Sequence, residues 1–371
     1  MQMVRPFTFF LIATVGCFPP TTNNIPELAL LGIPSAAGSS YSKLLFTANS
    51  GDITFRSFRI DQDTGALTLA STMTPAASGI GVDIHPNLPY VYQTLAGSNG
   101  ATSYTFDRDS GALTFAASVS PGDSATHRVH VRQDGSALYF NSVQSGQTWI
   151  YRSPLSSGIV QAATLVDFSE PANSQFLALH PTGNFLYGTS SNSSGGIGGI
   201  NTFLTNNGGT LVSQGNTNIT GVEEPAYAIF TSDGTGMFFA SNTGTRLLSY
   251  AINQSTGVPT VVSNITVNAV VVLMHPNEQY LYVTDSTTPA IRLFQINADK
   301  SLSLLNTMSG LSGSNFATGC MDRAGRFLYL TRFTAAGEVA AYKVNSDFTL
   351  TYISSAIAGN LVRACVTSID R

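Results

Sequence analysis

Residues Leu177 to Asn192 read LALHPTGNFLYGTSSN and contain two short strand patterns joined by a turn. The turn, His180 to Gly183, combines a proline that fixes φ with a glycine that tolerates positive φ. This pattern recurs along the chain. The other copies are Val82–Tyr92 (VDIHPNLPYVY), Val129–Tyr139 (VHVRQDGSALY), Ala228–Phe239 (AIFTSDGTGMFF), Val272–Tyr282 (VLMHPNEQYLY), Gly319–Tyr329 (GCMDRAGRFLY) and a shortened first copy, Lys43–Asn49.

The aromatic residue that ends each copy measures the repeat. Successive aromatics are 46, 47, 48, 52, 43 and 47 residues apart. A period in this range, made of strands and turns only, is typical of a β-propeller with one blade per repeat. The sequence therefore predicts an all-β fold with seven four-stranded blades. The marking aromatics are Phe46, Tyr92, Tyr139, Tyr187, Phe239, Tyr282 and Tyr329.

The first and last parts of the repeat array complement each other. After Tyr41 the chain begins at a second-strand pattern, so the first blade lacks its own innermost strand. Leu361 to Arg371 has the missing first-strand pattern. We therefore expect the C-terminal strand to complete blade one and close the ring, which removes exposed sheet edges.

The composition limits the possible partners. Charged residues make up 10% of the 371-residue chain, against about 25% in average soluble proteins. The net charge is −4, and no cluster of lysine and arginine provides an electrostatic surface for nucleic acid. Nucleic acid is therefore excluded as an expected partner.

The N-terminal segment differs from the repeats. Residues 7–16 form an apolar run of ten, too short to span a bilayer, followed by Cys17. This pattern predicts an export signal at residues 1–17, and its ending resembles a bacterial lipoprotein processing site with Cys17 as the lipidated residue. Residues 18–38 would be a tether and residues 39–371 the propeller. The expected location is the bacterial cell envelope, with membrane contact only through the lipid; secretion without lipidation and a cytosolic chain with an unusual start are the alternatives.

Two further cysteines lie near the ends of inner strands. Cys320 is two residues before Asp322, and Cys365 is five before Asp370. If these two aspartates are equivalent, the cysteines are offset by three residues, or about 10 Å along a strand. That distance exceeds the usual Cα separation of a disulfide. The alignment therefore favours two buried thiols over a bridge.

The strand directions sort the loops onto two rims. The short-loop rim carries turns such as His85 to Leu88, and the long-loop rim carries longer, more varied connections such as Gly188 to Gly199. Function on a repeat scaffold usually resides in variable loops. We therefore expect a binding site on the long-loop rim around the central channel. Candidate ligand-binding residues there are Gln175, Tyr227, Arg246 and Arg363.

Three residues are candidates for catalysis on the same rim. His127, Arg128 and Glu224 could act as base, anion clamp and acid on an ester or lactone. The alternative is that they are scattered polar residues that satisfy loop backbone. His127 and His130 are three residues apart near a strand, so they face opposite ways and do not form a chelating pair. No metal site and no cofactor is predicted.

The repeats resemble the seven-bladed propellers of the lactonase family, which includes phosphogluconolactonases. The resemblance covers about residues 40–371 and rests on the His-Pro-x-Gly-x-x-Leu-Tyr pattern and on the Asp-x-x-Thr-Gly-x-Leu turn, as at Asp61 to Leu67. It implies a propeller fold and, for the family's enzymes, lactone hydrolysis. Those enzymes carry Pro-Arg-His before an inner strand, where this chain has Thr126-His127-Arg128.

Two functions remain after these steps. The first, which the sequence favours, is a monomeric exported scaffold whose long-loop rim binds a small molecule, glycan or protein. The second is a lactone hydrolase with its site at the channel mouth.

Overall fold

The structure is a computed structural model that describes residues 42–96, 100–122, 126–144, 147–169, 176–190, 198–205, 211–219, 225–241, 245–285, 290–310 and 316–369. Within these ranges the chain forms 29 β-strands and no helix. None of these described segments is therefore a helix that could cross a membrane.

The strands are short, most of them six to eight residues long, and follow one another with only turns and loops between them. In chain order they are β1 (Leu44–Asn49), β2 (Phe55–Ile60), β3 (Leu67–Met73), β4 (Gly79–Ile84), β5 (Tyr90–Leu95), β6 (Gly100–Phe106), β7 (Leu113–Val119), β8 (Thr126–Val131), β9 (Ala137–Gln144), β10 (Gln147–Ser156), β11 (Ile159–Val160), β12 (Thr164–Ser169), β13 (Leu177–Leu179), β14 (Phe185–Ser190), β15 (Gly198–Thr205), β16 (Leu211–Ile219), β17 (Pro225–Phe230), β18 (Gly236–Ser241), β19 (Arg246–Ile252), β20 (Pro259–Thr266), β21 (Ala269–Met274), β22 (Tyr280–Asp285), β23 (Ala290–Ile296), β24 (Leu302–Ser309), β25 (Phe316–Met321), β26 (Phe327–Arg332), β27 (Glu338–Val344), β28 (Leu350–Ile357) and β29 (Val362–Thr367).

These strands form seven antiparallel sheets, one for each predicted repeat, so the predicted seven-bladed propeller is confirmed. Blades 2, 4, 5, 6 and 7 are β4–β7, β13–β16, β17–β20, β21–β24 and β25–β28. Blade 3 contains β8, β9, β10 and β12, with the short β11 paired to the end of β10. Blade 1 has the order β29-β1-β2-β3. The innermost strands of the blades surround the central channel.

The ring closes as predicted, because the C-terminal strand supplies the innermost strand of blade 1. Strand β29 pairs antiparallel with β1, and Val366 lies opposite Phe46. Ser368 secures the junction: its hydroxyl accepts the backbone N–H groups of Lys43 and Leu44, each at 3.0 Å. The first and last described segments of the chain are thus held in one sheet.

The core lies between the blades rather than within any one of them. Phe46 and Phe55 of blade 1 pack against Val91 and Tyr104 of blade 2, and all four are fully buried or nearly so. Strand side chains alternate between the two faces of a sheet, so each blade offers one apolar set to each neighbour. Burial of this area contributes about 25 cal/mol per Å² and stabilises the whole ring.

Four of the repeat-marking tyrosines also join successive blades by hydrogen bonds. Each of these hydroxyls donates to a backbone carbonyl in a turn of the next blade. At the turn that accepts the Tyr329 bond, Gly65 has a φ of +77°. A Cβ on Gly65 would lie 2.3 Å from the Phe327 ring. Glycine is therefore required at that turn by both space and conformation. The bonds are Tyr92 to Gly158 at 2.8 Å, Tyr187 to Gly257 at 2.8 Å, Tyr282 to Phe348 at 2.9 Å and Tyr329 to Gly65 at 3.1 Å.

The turn histidines have the same linking role on the short-loop rim. The carbonyl of Gly234 accepts a hydrogen bond from His180 Nε2 at 3.0 Å, and that of Gly325 accepts one from His275 Nε2 at 3.2 Å. A carbonyl can only accept, so Nε2 carries the proton in both rings. Gly234 has φ of +71°, and a Cβ there would lie 2.1 Å from the His180 ring. The sequence-based placement of these histidines in turns is confirmed.

The prediction for the cysteines is wrong, because Cys320 and Cys365 form a disulfide with a Cα separation of 5.8 Å. The error lies in the alignment. Ser368, not Asp370, holds the place of Asp322, since both side chains accept backbone N–H groups at the start of the next strand. The cysteines are therefore offset by one residue rather than three. The bond joins the inner strands of blades 7 and 1, beside the point of ring closure.

Removing this bond should destabilise the ring. For the double variant Cys320→Ser/Cys365→Ser we expect the free energy of unfolding in urea to fall by about 4 kcal/mol, the chain-entropy value for a loop of this length. The sequence separation is 45 residues. Wild type in a strong reductant is the matched control and should reach the same midpoint. A wild-type midpoint that reductant does not change would contradict the assignment.

Candidate functional site at the channel mouth

The inner strands are irregular where they enter the channel from the long-loop rim. In blade 3 the register between β8 and β9 shifts between Thr126 and Val129, and blade 2 has a similar shift. A β-bulge of this kind re-aims side chains and is often found beside functional sites. His127 and Arg128 are the two residues inside the blade 3 bulge.

Side chains on the second strands of blades 2 and 3 accept backbone N–H groups within the bulges. The Asn141 side chain accepts the Arg128 backbone N–H at 2.8 Å, and Thr94 accepts that of Gly81 at 2.8 Å. The Thr94 hydroxyl also donates to the His127 carbonyl at 3.1 Å and so links blade 2 to blade 3. This approach requires glycine, because a Cβ on Gly81 would lie 2.6 Å from the His127 oxygen. The backbone around His127 is therefore fixed by its own blade and by blade 2.

The imidazole of His127 is neutral at physiological pH. Burial, together with the charges of Arg128 and Arg363, lowers its pKa to about 4. Arg363 comes from β29 and Arg128 from β8, so the cations reach His127 from blades 1 and 3. The charges of two residues selected from the sequence, Arg128 and Arg363, thus act on a third, His127.

Arg363 is exposed, and two contacts position its side chain. Its Nε donates to the Ser50 hydroxyl at 3.1 Å, and its guanidinium lies 4.1 Å from the centre of the Phe333 ring. A cation over an aromatic face is attracted by the ring quadrupole. Two arginine charges that act on a neutral imidazole are suited to an anion or a developing oxyanion.

A second polar pair lies further along the same inner strands. Asp83 of β4 and His130 of β8 approach to 4.0 Å, and their side chains keep 26% and 35% exposure. The Asp83 carboxylate accepts the Val131 N–H at 2.8 Å, and His130 Nε2 donates to the Leu177 carbonyl at 2.6 Å. These bonds cap the unpaired edges of the next inner strands. The pair therefore connects blades 2, 3 and 4 on the channel wall.

Burial disfavours the charged forms of both Asp83 and His130. It raises the pKa of Asp83 to about 6, although the N–H groups of Val131 and Ile84 and the charge of Arg323 act the other way. It lowers the pKa of His130 to about 4, with the bond to Leu177 opposing the shift. Near pH 6 the pair takes up a proton mainly on the carboxyl group.

Sequence reasoning missed Asp83 and His130 as channel residues, although a signal was present. Both lie directly opposite the repeat-marking tyrosine of their blade, Tyr92 and Tyr139 respectively. Most other blades have an apolar residue at this position, such as Leu273 opposite Tyr282. Two polar side chains at equivalent positions of adjacent blades predict a contact across the blade interface.

The remaining candidate residues from the sequence lie on other strands or outside the described part of the structure. Arg246 begins β19, the third strand of blade 5, and donates to the Thr266 hydroxyl of the outermost strand at 2.8 Å. Tyr227 lies on β17, an inner strand, but its side chain is outside the described part of the structure. Gln175, Glu224 and Cys17 also lie outside the described residues. Within those residues, no group of three or more histidine, cysteine, aspartate or glutamate side chains could hold a metal ion.

Comparison with known proteins identifies the fold. No family model matches the sequence, and no curated protein matches it. Among solved structures, a candidate 6-phosphogluconolactonase from Bacteroides fragilis superposes with a TM-score of 0.75 at 14% identity over 89% of this chain and 98% of that chain.

Two further structures show how widely the fold is used. The periplasmic gluconolactonase of Pseudomonas aeruginosa superposes with a TM-score of 0.72 at 14% identity, covering 89% of this chain and 99% of that chain. A hypothetical selenium-binding protein from Sulfolobus tokodaii gives 0.72 at 9% identity, covering 89% and 94%. The resemblance to lactonase propellers is therefore confirmed for the fold. Because the same fold carries other names, function must be argued from the site.

The depressed histidine pKa values predict sensitivity to acid. The unfolded chain protonates His127 and His130 near pH 6.5, whereas the folded chain does so only near pH 4. Stability is therefore full above pH 6.5 and falls as the pH drops towards 4. The raised pKa of Asp83 has the opposite effect and stabilises the folded chain as the pH falls from 6 to 4. Only this one group contributes the gain, whereas two histidines contribute the loss.

The urea midpoint measured at pH 7, 6, 5 and 4.5 tests this expectation. Wild type should lose stability steadily through the series, and His127→Asn/His130→Asn should lose less. Equal slopes for the two proteins would show that these imidazoles do not titrate as the structure indicates.

Proposed function

We propose that this protein binds a sugar-type lactone at the long-loop mouth of its channel and hydrolyses it. The observation that carries the proposal is the neutral imidazole of His127 beside the cations of Arg128 and Arg363. A neutral imidazole can accept a proton, and fixed cations stabilise the negative charge that forms on a carbonyl oxygen. The names of the two lactonase structures support the same class of substrate.

The chemistry follows from this arrangement. His127 takes a proton from a water molecule whose oxygen attacks the lactone carbonyl carbon. The arginines hold the oxyanion, whose charge offsets their effect on His127 and so raises its affinity for the proton. The bond from the carbonyl carbon to the ring oxygen then breaks, and the ring oxygen leaves as a hydroxyl with the proton from His127. The product is a hydroxy acid whose carboxylate remains against Arg128 or Arg363.

Three residues outside the described side chains complete the proposal as sequence-based candidates. Glu224 would supply an acid on the same rim, and Gln175 and Tyr227 would contact hydroxyl groups of the ligand. These residues precede or begin the inner strands of blades 4 and 5. The proposed ligand would then lie across the channel mouth, between blades 1 and 3 on one side and blades 4 and 5 on the other.

A binding scaffold without catalysis is the second candidate, and one observation favours it. Arg363 is already fixed by Ser50 and Phe333, so an anion clamp exists that needs no chemical step to be useful. A small molecule, a glycan or an acidic segment of a protein could bind such a clamp.

We also propose that the protein is exported to the bacterial cell envelope, with residues 1–17 as the signal and Cys17 as the lipid attachment point. The disulfide between Cys320 and Cys365 supports this location, since structural disulfides persist mainly in oxidising compartments. The monomeric state expected from the sequence remains part of the proposal.

Hydrolysis of glucono-δ-lactone separates the two candidates. Wild type should open the ring, and His127→Gln should reduce kcat/KM by about 100-fold or more, the usual range for loss of a general base. His275→Gln is the control, because that histidine lies on the opposite rim. An unchanged rate in His127→Gln would contradict the assignment of the base. Absence of hydrolysis in wild type, with tight binding of gluconate, would support the scaffold.

The pH profile gives an independent test of the arginine. Arg363→Gln removes one of the cations that lower the pKa of His127, so the acid limb of kcat/KM should move upward from about 4 towards the ordinary histidine value. Arg246→Gln, which removes an arginine from the third strand of blade 5, should leave the limb in place. An acid limb that does not move in Arg363→Gln would show that this cation is not coupled to the base.

A further inference from the structure

Two threonines at equivalent places in blades 2 and 6 differ in one contact. Thr94 and Thr284 are each the last but one residue of a second strand, and both are buried. Thr94 accepts the backbone N–H of Gly81 at 2.8 Å, and Thr284 accepts that of Val271 at 3.0 Å. Only Thr94 reaches further, because it also donates to the His127 carbonyl of blade 3 at 3.1 Å. Among the described residues, no hydrogen bond joins the Thr284 side chain to the next blade.

The residue beside Thr94 shows that the backbone of blade 3 comes unusually close. Gly81 holds the place that the buried Val271 has in blade 6. Its φ is not positive, so its conformation does not require glycine. Space does: a Cβ on Gly81 would lie 2.6 Å from the His127 carbonyl oxygen and 3.2 Å from the Arg128 Cα. The glycine is therefore explained by the approach of the His127 backbone.

Blade 2 contacts the same strand at a second point. The Asp83 carboxylate on β4 accepts the Val131 backbone N–H at 2.8 Å. The contacts at His127 and Val131 lie on either side of Val129, where pairing with β9 resumes after the bulge. Blade 2 therefore fixes the position of β8 along the channel where the His127 side chain leaves the strand.

The bulge makes His127 depend on this neighbour. His127 has no paired residue on β9, because the register passes from Thr126 directly to Val129. A bulged residue is released from the ladder, so other contacts decide where its side chain points. The bond from Thr94 supplies such a contact from outside the blade.

We propose that Thr94, in the space left by Gly81, is a positioning residue for the His127 imidazole. The inference rests on the lactone hydrolysis proposed above, in which His127 is the base. A base works only within hydrogen-bonding reach of the water that it activates, and a displacement of about 1 Å can cost about 100-fold in rate. The precision of the site in blade 3 is thus set in part by blade 2.

Hydrolysis of glucono-δ-lactone by the full chain gives the first test. Thr94→Val keeps the shape of the side chain and removes its hydroxyl. It should lower kcat about tenfold with KM nearly unchanged, since the chemical step suffers more than binding. Thr94→Ser keeps both hydrogen bonds and should restore most of the rate. Thr284→Val is the matched control, because it loses the same kind of N–H bond in blade 6, and it should react as wild type does.

The NMR signals of the His127 ring give a second readout that needs no activity. They are assigned by their loss in His127→Gln. The pKa of His127 in wild type is about 4, so its signals should stay constant between pH 7 and about pH 5.5. In Thr94→Val the imidazole should become less buried and its pKa should rise, so its signals should move over this range. Thr284→Val and Thr94→Ser should match wild type.

A second variant displaces the same backbone while leaving Thr94 in place. Gly81→Ala puts a methyl group against the His127 carbonyl, so it should reproduce both the loss of rate and the movement of the His127 signals. Gly188→Ala is its control, because a Cβ on that buried strand glycine would meet only the Phe203 ring, at 3.7 Å. This variant should behave as wild type does.

The outcomes separate the positioning role from the proposed function. The positioning role is overturned if the His127 signals titrate as in wild type in both Thr94→Val and Gly81→Ala, or if Thr284→Val moves them as far. It is also overturned if the signals move while lactone hydrolysis continues at the wild-type rate. Absence of hydrolysis in wild type would contradict the proposed function instead, and the NMR comparison would still decide whether Thr94 positions His127. Melting curves confirm that each variant is folded.

Discussion

Pairing of the C-terminal strand with the first described strand is the constraint on which the rest of this structure depends. The register of β29 on β1, with Val366 opposite Phe46, brings Arg363 to the channel mouth. Without that pairing, blade 1 would lack its inner strand and the cation that faces His127. The disulfide between Cys320 and Cys365 joins the same strand to blade 7. Stability of the ring and geometry of the site therefore have one origin.

The links between blades explain why a chain with few charges forms a rigid ring. Apolar faces supply most of the free energy of packing, but they have little directional preference. Hydrogen bonds such as Tyr329 to Gly65 and His180 to Gly234 fix how far each blade can rotate or slide against the next. Both of these bonds end on a glycine turn that leaves no space for a Cβ. Such a frame can hold separate side chains at defined positions across the channel.

The fold could be predicted from the sequence because its information is local and repeated. Each copy of the turn, as at His180 to Gly183, specifies one hairpin, and six full copies with one shortened copy specify the ring. Contacts between blades depend instead on register, which a single bulge or a mistaken equivalence changes by one or more residues. That is why the cysteine pair was misplaced when Asp370 was aligned with Asp322. It is also why Asp83 and His130, each unremarkable in its own strand, were not recognised as a pair.

For the same reason, only part of the candidate site could be predicted from the sequence. His127 and Arg363 could be selected as polar residues on one rim, but the effect of the Arg363 charge on His127 depends on ring closure, which places Arg363 on the innermost strand of blade 1. The central proposal is that this mouth binds a sugar-type lactone and the hydroxy-acid product of its hydrolysis. A crystal structure with gluconate tests it most directly. The account predicts the carboxylate against Arg128 or Arg363 beside His127, and gluconate bound only at the short-loop rim, or not at all at saturating concentration, would contradict it.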